Sequence, residues 1–513
     1  MIYLFLIFIT YDLLLPDRCI HDNEINRIRP SLSHSYISEF GNFMIHYDLE
    51  SDNAPNLEDL DEDSIPDYVQ NVAQFAELSR KTLLEDMHFL EEPSDADGIY
   101  DIYLLNQSAW GWNVVDSNYP GASYVKIDND YNGLNFSSDY CHNSLEKMQI
   151  SVAHEYFHAV QRAYKPNFNE NSDFLMEMSS MWFEDVMVPN CNDYLSFVDA
   201  LSYSLFNNPV QKFDGSDLVQ GQSEANFGYS MALFGHYLTN IVDYSSSINE
   251  TTIIRNIWNK FSSGLSPRES ILRTVEEDFK KSFSSIWTDF ISKNLFCGKY
   301  DYFNQNFYFH EDQRLINPIS VSTSNFILPD EKIYFTQTAD DLSVNIIGVG
   351  ILSELIFNSI SSSNNIKASF SRIGYSNYLS DNLNQNQLLL DNGDKIFFIF
   401  SSEEDVVDVA LQVQTLVKPL ITARVVSLYP NPIKLNNNLF IEITNEFSDN
   451  VDLLCYDLKG SLIFTEKIKL SSYQSTELIQ FDLSKYINSS GSYKLVIKDN
   501  HSIIYSTNIT FLK

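Results

Sequence analysis

The chain has 513 residues, 44% of them hydrophobic, and a formal net charge of −36 from 33 Lys+Arg against 69 Asp+Glu. That length exceeds one ordinary core and predicts two or three domains, while the hydrophobic share excludes a disordered chain. A surface this acidic repels nucleic acid and anionic membranes, so it argues against nucleic acid as a partner and suits work outside the cell.

Ile2 to Leu15 is an almost continuous apolar run, too short for a comfortable membrane span and of the length of an export signal. Residues 1–18 are therefore expected to be a signal peptide. No later segment is long and apolar enough for a transmembrane anchor. The cysteines, at 19, 141, 191, 297 and 455, are widely spaced and make no metal-type pair. A Cys141–Cys191 disulfide and reduced, buried thiols are both open readings.

Asp59-Leu60-Asp61-Glu62-Asp63-Ser64-Ile65-Pro66-Asp67 sets carboxylates at alternate positions ahead of a helix, as calcium loops do. Asp59, Asp61, Asp63 and Asp67 are the calcium-ligand candidates. Ser64 stands where such loops turn on glycine, and Gln70 where a bidentate glutamate would be. The alternative is an acidic helix N-terminus favoured by the helix dipole. A second cluster, Asp95 to Asp101 with Gly98, reads as a weaker calcium loop or an ordinary Asp-Gly turn.

From Pro66 to about Phe296 apolar residues recur every three or four positions, predicting helices over Tyr68–Met87, Leu145–Tyr164, Phe174–Val186 and Phe227–Val242. Strands are expected at Tyr100–Leu105 and Ala122–Ile127, which makes this half α+β. Within its second helix lies Val152-Ala153-His154-Glu155-Tyr156-Phe157-His158-Ala159-Val160. Histidines four apart share one helical face and can ligate one ion. Glu155, beside the first, is placed to take a proton from a zinc-activated water as general base.

A catalytic zinc takes three protein ligands, and Glu177 is the best third. The intervening 18 residues allow a helix to end near Lys165-Pro166, a turn through Asn167 to Asn171, and a return helix from Asp173. Antiparallel packing then sets Glu177 beside the histidines. Glu184, on a related face, is either a hydrogen-bond partner for a histidine N–H or a solvated glutamate.

These residues resemble the gluzincin metallopeptidases, and most closely secreted bacterial peptidases with H-E-Y-F-H-A-x-Q followed by a W-x-x-E-G-x-A-x-W-x-E-like helix. His154 to Gln161 match the first block fully; in the second, Glu177, Trp182 and Glu184 match, whereas Phe174 replaces a tryptophan and Met178 a glycine. The resemblance implies a zincin-like fold, an upstream edge strand for substrate, expected at Gly121–Asp128, and a tyrosine or histidine donor for the oxyanion. Tyr229 and His236 are the candidates for that donor.

From about Pro318 to Leu416 the period changes to two, as in Val407, Val409, Leu411 and Val413, and predicts an all-β module. After Val425, Tyr429-Pro430-Asn431-Pro432 punctuates the chain, and strands are expected at Leu439–Ile443, Val451–Tyr456 and Tyr493–Ile497. With Cys455-Tyr456-Asp457-Leu458-Lys459-Gly460 and Gly491-Ser492-Tyr493, this segment resembles the C-terminal sorting domain of type IX secretion. The resemblance implies the type IX machinery as a partner and a secreted or cell-surface location.

The expected fold class is therefore multidomain: an α+β zincin-like peptidase domain followed by all-β sandwich modules. The expected spans are 1–18 for the signal peptide, 19–315 for the metallopeptidase domain, 316–418 for a β-sandwich and 425–513 for the sorting domain. The expected function is zinc-dependent endopeptidase action on protein or peptide, with calcium as a second metal. The alternative is a non-catalytic surface adhesin with a structural zinc.

Overall fold

The structure is a computed structural model, and it describes residues 28–513 apart from 120, 132–140, 142, 167–171, 245–246, 248–249, 296, 299–307, 322 and the inter-strand segments 327–331, 340–341, 351–354, 362–366, 374–377, 383–386, 389–394, 402–406, 416–422, 446–449, 471–474 and 500–502. The expected signal peptide, Cys19 and the turn at Asn167–Asn171 lie outside the described residues. The chain divides into two compact units, one of residues 1–204 with 214–281 and one of 205–213 with 282–513.

The first unit is built on a five-stranded sheet of β1 (His34–Ile37), β2 (Phe43–Tyr47), β3 (Tyr100–Leu105), β4 (Gly111–Val115) and β5 (Ser123–Asp128). The spatial order is β1-β2-β3-β5-β4. β2, β3 and β5 run parallel, while β1 and β4 are antiparallel to their neighbours at the two edges. Parallel neighbours need a crossover, and α1 (Asp67–Arg80) lies on the connection from β2 to β3. Its buried Val69, Val72, Ala73 and Ala76 follow the 3.6-residue period read from the sequence.

α2 (Ser144–Tyr164) packs against both β4 and β5, and α3 (Asp173–Met187) packs on α2. Cys141, three residues before α2, forms a disulfide with Cys191, four residues after α3 ends. The bridge ties the open end of the α2–α3 hairpin, and its 50-residue span fits an oxidising compartment. The helix expected over Phe227–Val242 is interrupted: α4 (Leu195–Ala200) is followed by α5 (Glu224–Ser230), α6 (Ala232–Tyr237) and a π-helical stretch over Leu238–Asp243. α7 (Ile253–Ser262) and α8 (Pro267–Arg273) complete the unit.

In the second unit, α9 (Phe283–Asn294) packs on strands Lys367–Ile373 and Lys395–Ser401. The expected boundary at 315 therefore differs from the observed division, which groups this helix with the β-rich unit. Strands between 323 and 415 form one five-stranded and one four-stranded sheet. Val407–Thr415, the strand read from strict alternation, is central to the latter, between Lys332–Ala339 and Leu355–Ser361.

The C-terminal segment is all-β: a three-stranded and a five-stranded sheet share one core. Leu439, Ile441 and Ile443 from the first meet Leu453, Cys455, Leu495, Ile497 and Ile509 from the second. The strands expected from 439, 451 and 493 appear at Leu439–Asn445, Asn450–Asp457 and Gly491–Lys498. Among the described residues no helix is long and apolar enough to cross a membrane.

Candidate metal centre

α2 starts where Asn143 accepts a hydrogen bond from the Glu146 N–H at 2.9 Å, which satisfies one of the unpaired donors of the first turn. From Ile150 to Gln161 the helix is buried on every face. Burial of this kind is costly for His154, Glu155, His158 and Gln161 unless each finds a polar partner or an ion. The partners come from α3, which runs back from Asp173 as the sequence predicts.

The Nε2 atom of His154 lies 3.1 Å from Glu177 Oε2, and Nε2 of His158 lies 3.5 Å from the same oxygen. One ligand atom from each of the three residues falls within 4.8 Å of the other two. The outward nitrogens are occupied: His154 Nδ1 is 2.5 Å from Glu184 Oε1, and His158 Nδ1 is 2.8 Å from Gln161 Oε1. A carboxylate only accepts, so Nδ1 of His154 donates outward and Nε2 is the nitrogen left to meet an ion once its own proton is displaced; the amide oxygen of Gln161 likewise takes the Nδ1 proton of His158.

Electrostatics point the same way. Burial works against a charge on His154, yet Glu184 and Glu177 outweigh it and raise its pKa to about 10. Two buried carboxylates thus hold one positive charge where a divalent cation would take the place of the proton. The donor set, two imidazoles and one carboxylate, suits zinc.

Glu155, buried beside His154, shares with Trp110, Gly111, Ser151 and Glu184 a pocket of about 10 Å³, the room of a single water. The Tyr229 ring centroid stands 6.0 Å from that of His154. Gly228 makes this approach possible, because a Cβ there would lie 2.8 Å from the Phe174 carbonyl oxygen and 2.9 Å from Glu177 Cβ. His236 is also buried, with its Nε2 3.1 Å from Asp185 Oδ2.

The substrate edge expected at Gly121–Asp128 is corrected by the sheet order. β5 has β3 on one side and β4 on the other, so among the described residues the edge strand beside α2 is β4. The Trp110-Gly111-Trp112-Asn113 stretch carries little period-two signal, which is why the sequence concealed it.

The carboxylate loops also resolve into parts. Oxygens of Asp59, Asp61 and Asp67 gather within 4.8 Å. Asp63 is directed instead to the Ile65 N–H and the Gln70 amide, each at 2.8 Å, so the residue standing in the glutamate's place satisfies a neighbouring carboxylate. Ser64 holds the turn with φ at 77°, the conformation a glycine would supply. In the second cluster the Arg29 guanidinium binds Asp95 and Asp116 at 2.6 Å and also Asp101. A cation from the chain itself fills that place, against the calcium reading of Asp95 to Asp101.

Sequence reasoning assigned no role to Gln161, Asn113 or Gly111. Gln161 was findable, since it sits three residues beyond His158 on the same helical face. Asn113 and Gly111 come from a strand distant in sequence.

No curated protein matches the chain. Solved structures overlap it only locally: the periplasmic inhibitor of g-type lysozyme from Salmonella Typhimurium at 7% identity over 18% of this chain and 98% of that chain, with TM-score 0.16. The adhesin domain of Epf from Streptococcus pyogenes aligns at 10% identity over 35% of this chain and 72% of that one, TM-score 0.13. The β-glucuronidase of Ruminococcus gnavus aligns at 8% identity over 36% of each chain, TM-score 0.12. Overlaps this slight assign neither fold nor activity. Residues 427–510 match the family of secretion system C-terminal sorting domains, over the same strands that form the terminal β core. The C-terminal segment is therefore a type IX secretion sorting domain, and the chain is a secreted or cell-surface protein.

Proposed function

We propose that the chain is a secreted zinc-dependent endopeptidase whose helical unit is zincin-like. The observation that carries this reading is the convergence of His154, His158 and Glu177 with both outer imidazole nitrogens already engaged, directly beside a buried Glu155. The mixed sheet with its antiparallel edge β4 along α2 supports it.

His154, His158 and Glu177 would hold zinc, which when bound supplies Lewis acidity and a water acidified to a pKa of about 7. Glu155 would serve as the general base, holding at its carboxylate the proton of an attacking water and returning it to the leaving amine. Tyr229 is the proposed oxyanion donor, since its ring borders the ligand cluster, while His236 is engaged with Asp185. Asp59, Asp61 and Asp67 are the proposed calcium ligands, tested by a calcium-dependent rise in the unfolding temperature.

Glu155→Gln is expected to lower casein hydrolysis by about 10²–10⁴-fold while one zinc per chain is retained. Folded protein purified without zinc, or full activity in that variant, would overturn the reading.

A further inference from the structure

β4 is more than an edge strand, because two of its residues reach the same residue of α2. Gly111 and Asn113 are two apart and so point to one face of the strand. The Asn113 amide donates to the Glu155 carbonyl oxygen at 3.1 Å and to Tyr100 Oη and Ser123 Oγ, at 3.1 and 3.2 Å. Its own oxygen accepts from buried Arg162 at 2.7 Å. All of these groups are interior, so the bond holds the backbone of Glu155 to the strand by a network shielded from water.

Gly111 acts on the side chain. A Cβ built there would lie 2.5 Å from Glu155 Cγ, 2.9 Å from its Oε1 and 3.1 Å from its Cδ. The backbone at 111 is ordinary extended strand, so the glycine answers no demand of conformation. What it supplies is room. The side chain of Glu155 lies against Gly111, in the space that the Cβ of any other residue would occupy. The nearest atom in the way, Cγ, lies in the middle of the Glu155 side chain, so a methyl group at 111 would force that side chain to turn about its own bonds and carry the carboxylate with it.

We propose that Gly111, with Asn113 as its anchor, is a positioning residue that sets where the Glu155 carboxylate stands. The proposal rests on the peptidase reading of the site and adds to it that the general base is held from the edge strand rather than from its own helix alone. A displacement of about 1 Å at a reacting group costs on the order of a hundredfold.

The test uses the full-length protein. Gly111→Ala is expected to lower kcat about a hundredfold with KM within about twofold, because the added methyl points at Glu155 and leaves the backbone N–H and C=O of β4 in place. Zinc content and unfolding temperature should match the parent. In protein reconstituted with Co2+ in place of zinc, the pH midpoint of the visible spectrum should move in Gly111→Ala, a signature independent of turnover. Glu155→Gln supplies the control: with no base left to position, adding Gly111→Ala to it should cost no more than about threefold. A kcat within about twofold of the parent, or an undiminished penalty in the Glu155→Gln background, overturns the inference. A parent protein without metal or hydrolysis overturns the peptidase reading itself, so the two failures are told apart by which protein fails.

Discussion

The α2–α3 hairpin and the terminal β-sandwich solve burial in opposite ways. The sandwich gathers apolar side chains, from Leu439, Ile441 and Ile443 on one sheet to Leu495, Ile497 and Ile509 on the other, and close packing is what joins the two sheets there. The hairpin buries His154, Glu155, His158, Arg162, Glu177, Glu184 and Asp185. Charges in such a place lower stability unless paired, and well-packed apolar residues would serve the fold as well or better. The difference teaches where to look for chemistry: a fold spends desolvation energy at a site that uses the charge, and a sorting module has no reason to.

Ligand removal is the strongest way to break that contrast. His158→Ala should reduce zinc from one per chain to none after dialysis and abolish hydrolysis, while export through the sorting domain continues; metal content and a secretion assay read the two halves separately. Ile441→Ala should do the reverse, destabilising the sandwich by about 2–5 kcal/mol in urea unfolding with zinc binding intact. Replacing both Cys141 and Cys191 by serine opens the hairpin's end and should lower the stability of the helical unit by about 2–4 kcal/mol, with no effect on the sandwich transition. Zinc at about 100 times its Kd should raise the stability of the helical unit by roughly 2.7 kcal/mol, and a chelator should reverse the gain. Glu184→Gln, which keeps the shape of the His154 partner but removes its charge, should weaken zinc binding about 10–100-fold by titration.

Local periodicity carried much of the fold. The helices at 67–80, 144–164 and 173–187 and the strands at 100–105, 439–445 and 450–457 stand close to where apolar spacing placed them, because apolar residues recur there at the period of the element they form. Phe227–Val242 has the period of one helix and is broken at Met231, with Gly228 before the break and Gly235 after it both set against α3. That packing demand leaves no trace in the local pattern.

The sequence by itself determined the chemistry of the candidate centre. The i, i+4 spacing puts His154 and His158 on one face wherever α2 lies, and the return helix needed only a turn to bring Glu177 back. It also determined the sorting module, whose strands and turns follow one another in chain order. Tertiary structure alone decided which strand borders the site, that Asp63 turns to Gln70 rather than to the carboxylates around it, and that Arg29 fills the Asp95 cluster. Sheet order and charge pairing depend on residues far apart in the chain, and a sequence read along its length holds no measure of those distances. Glu155 shows both sides: its candidacy as a base is legible beside His154, but the space it occupies is left by Gly111, on a strand that closes against it only in the folded molecule.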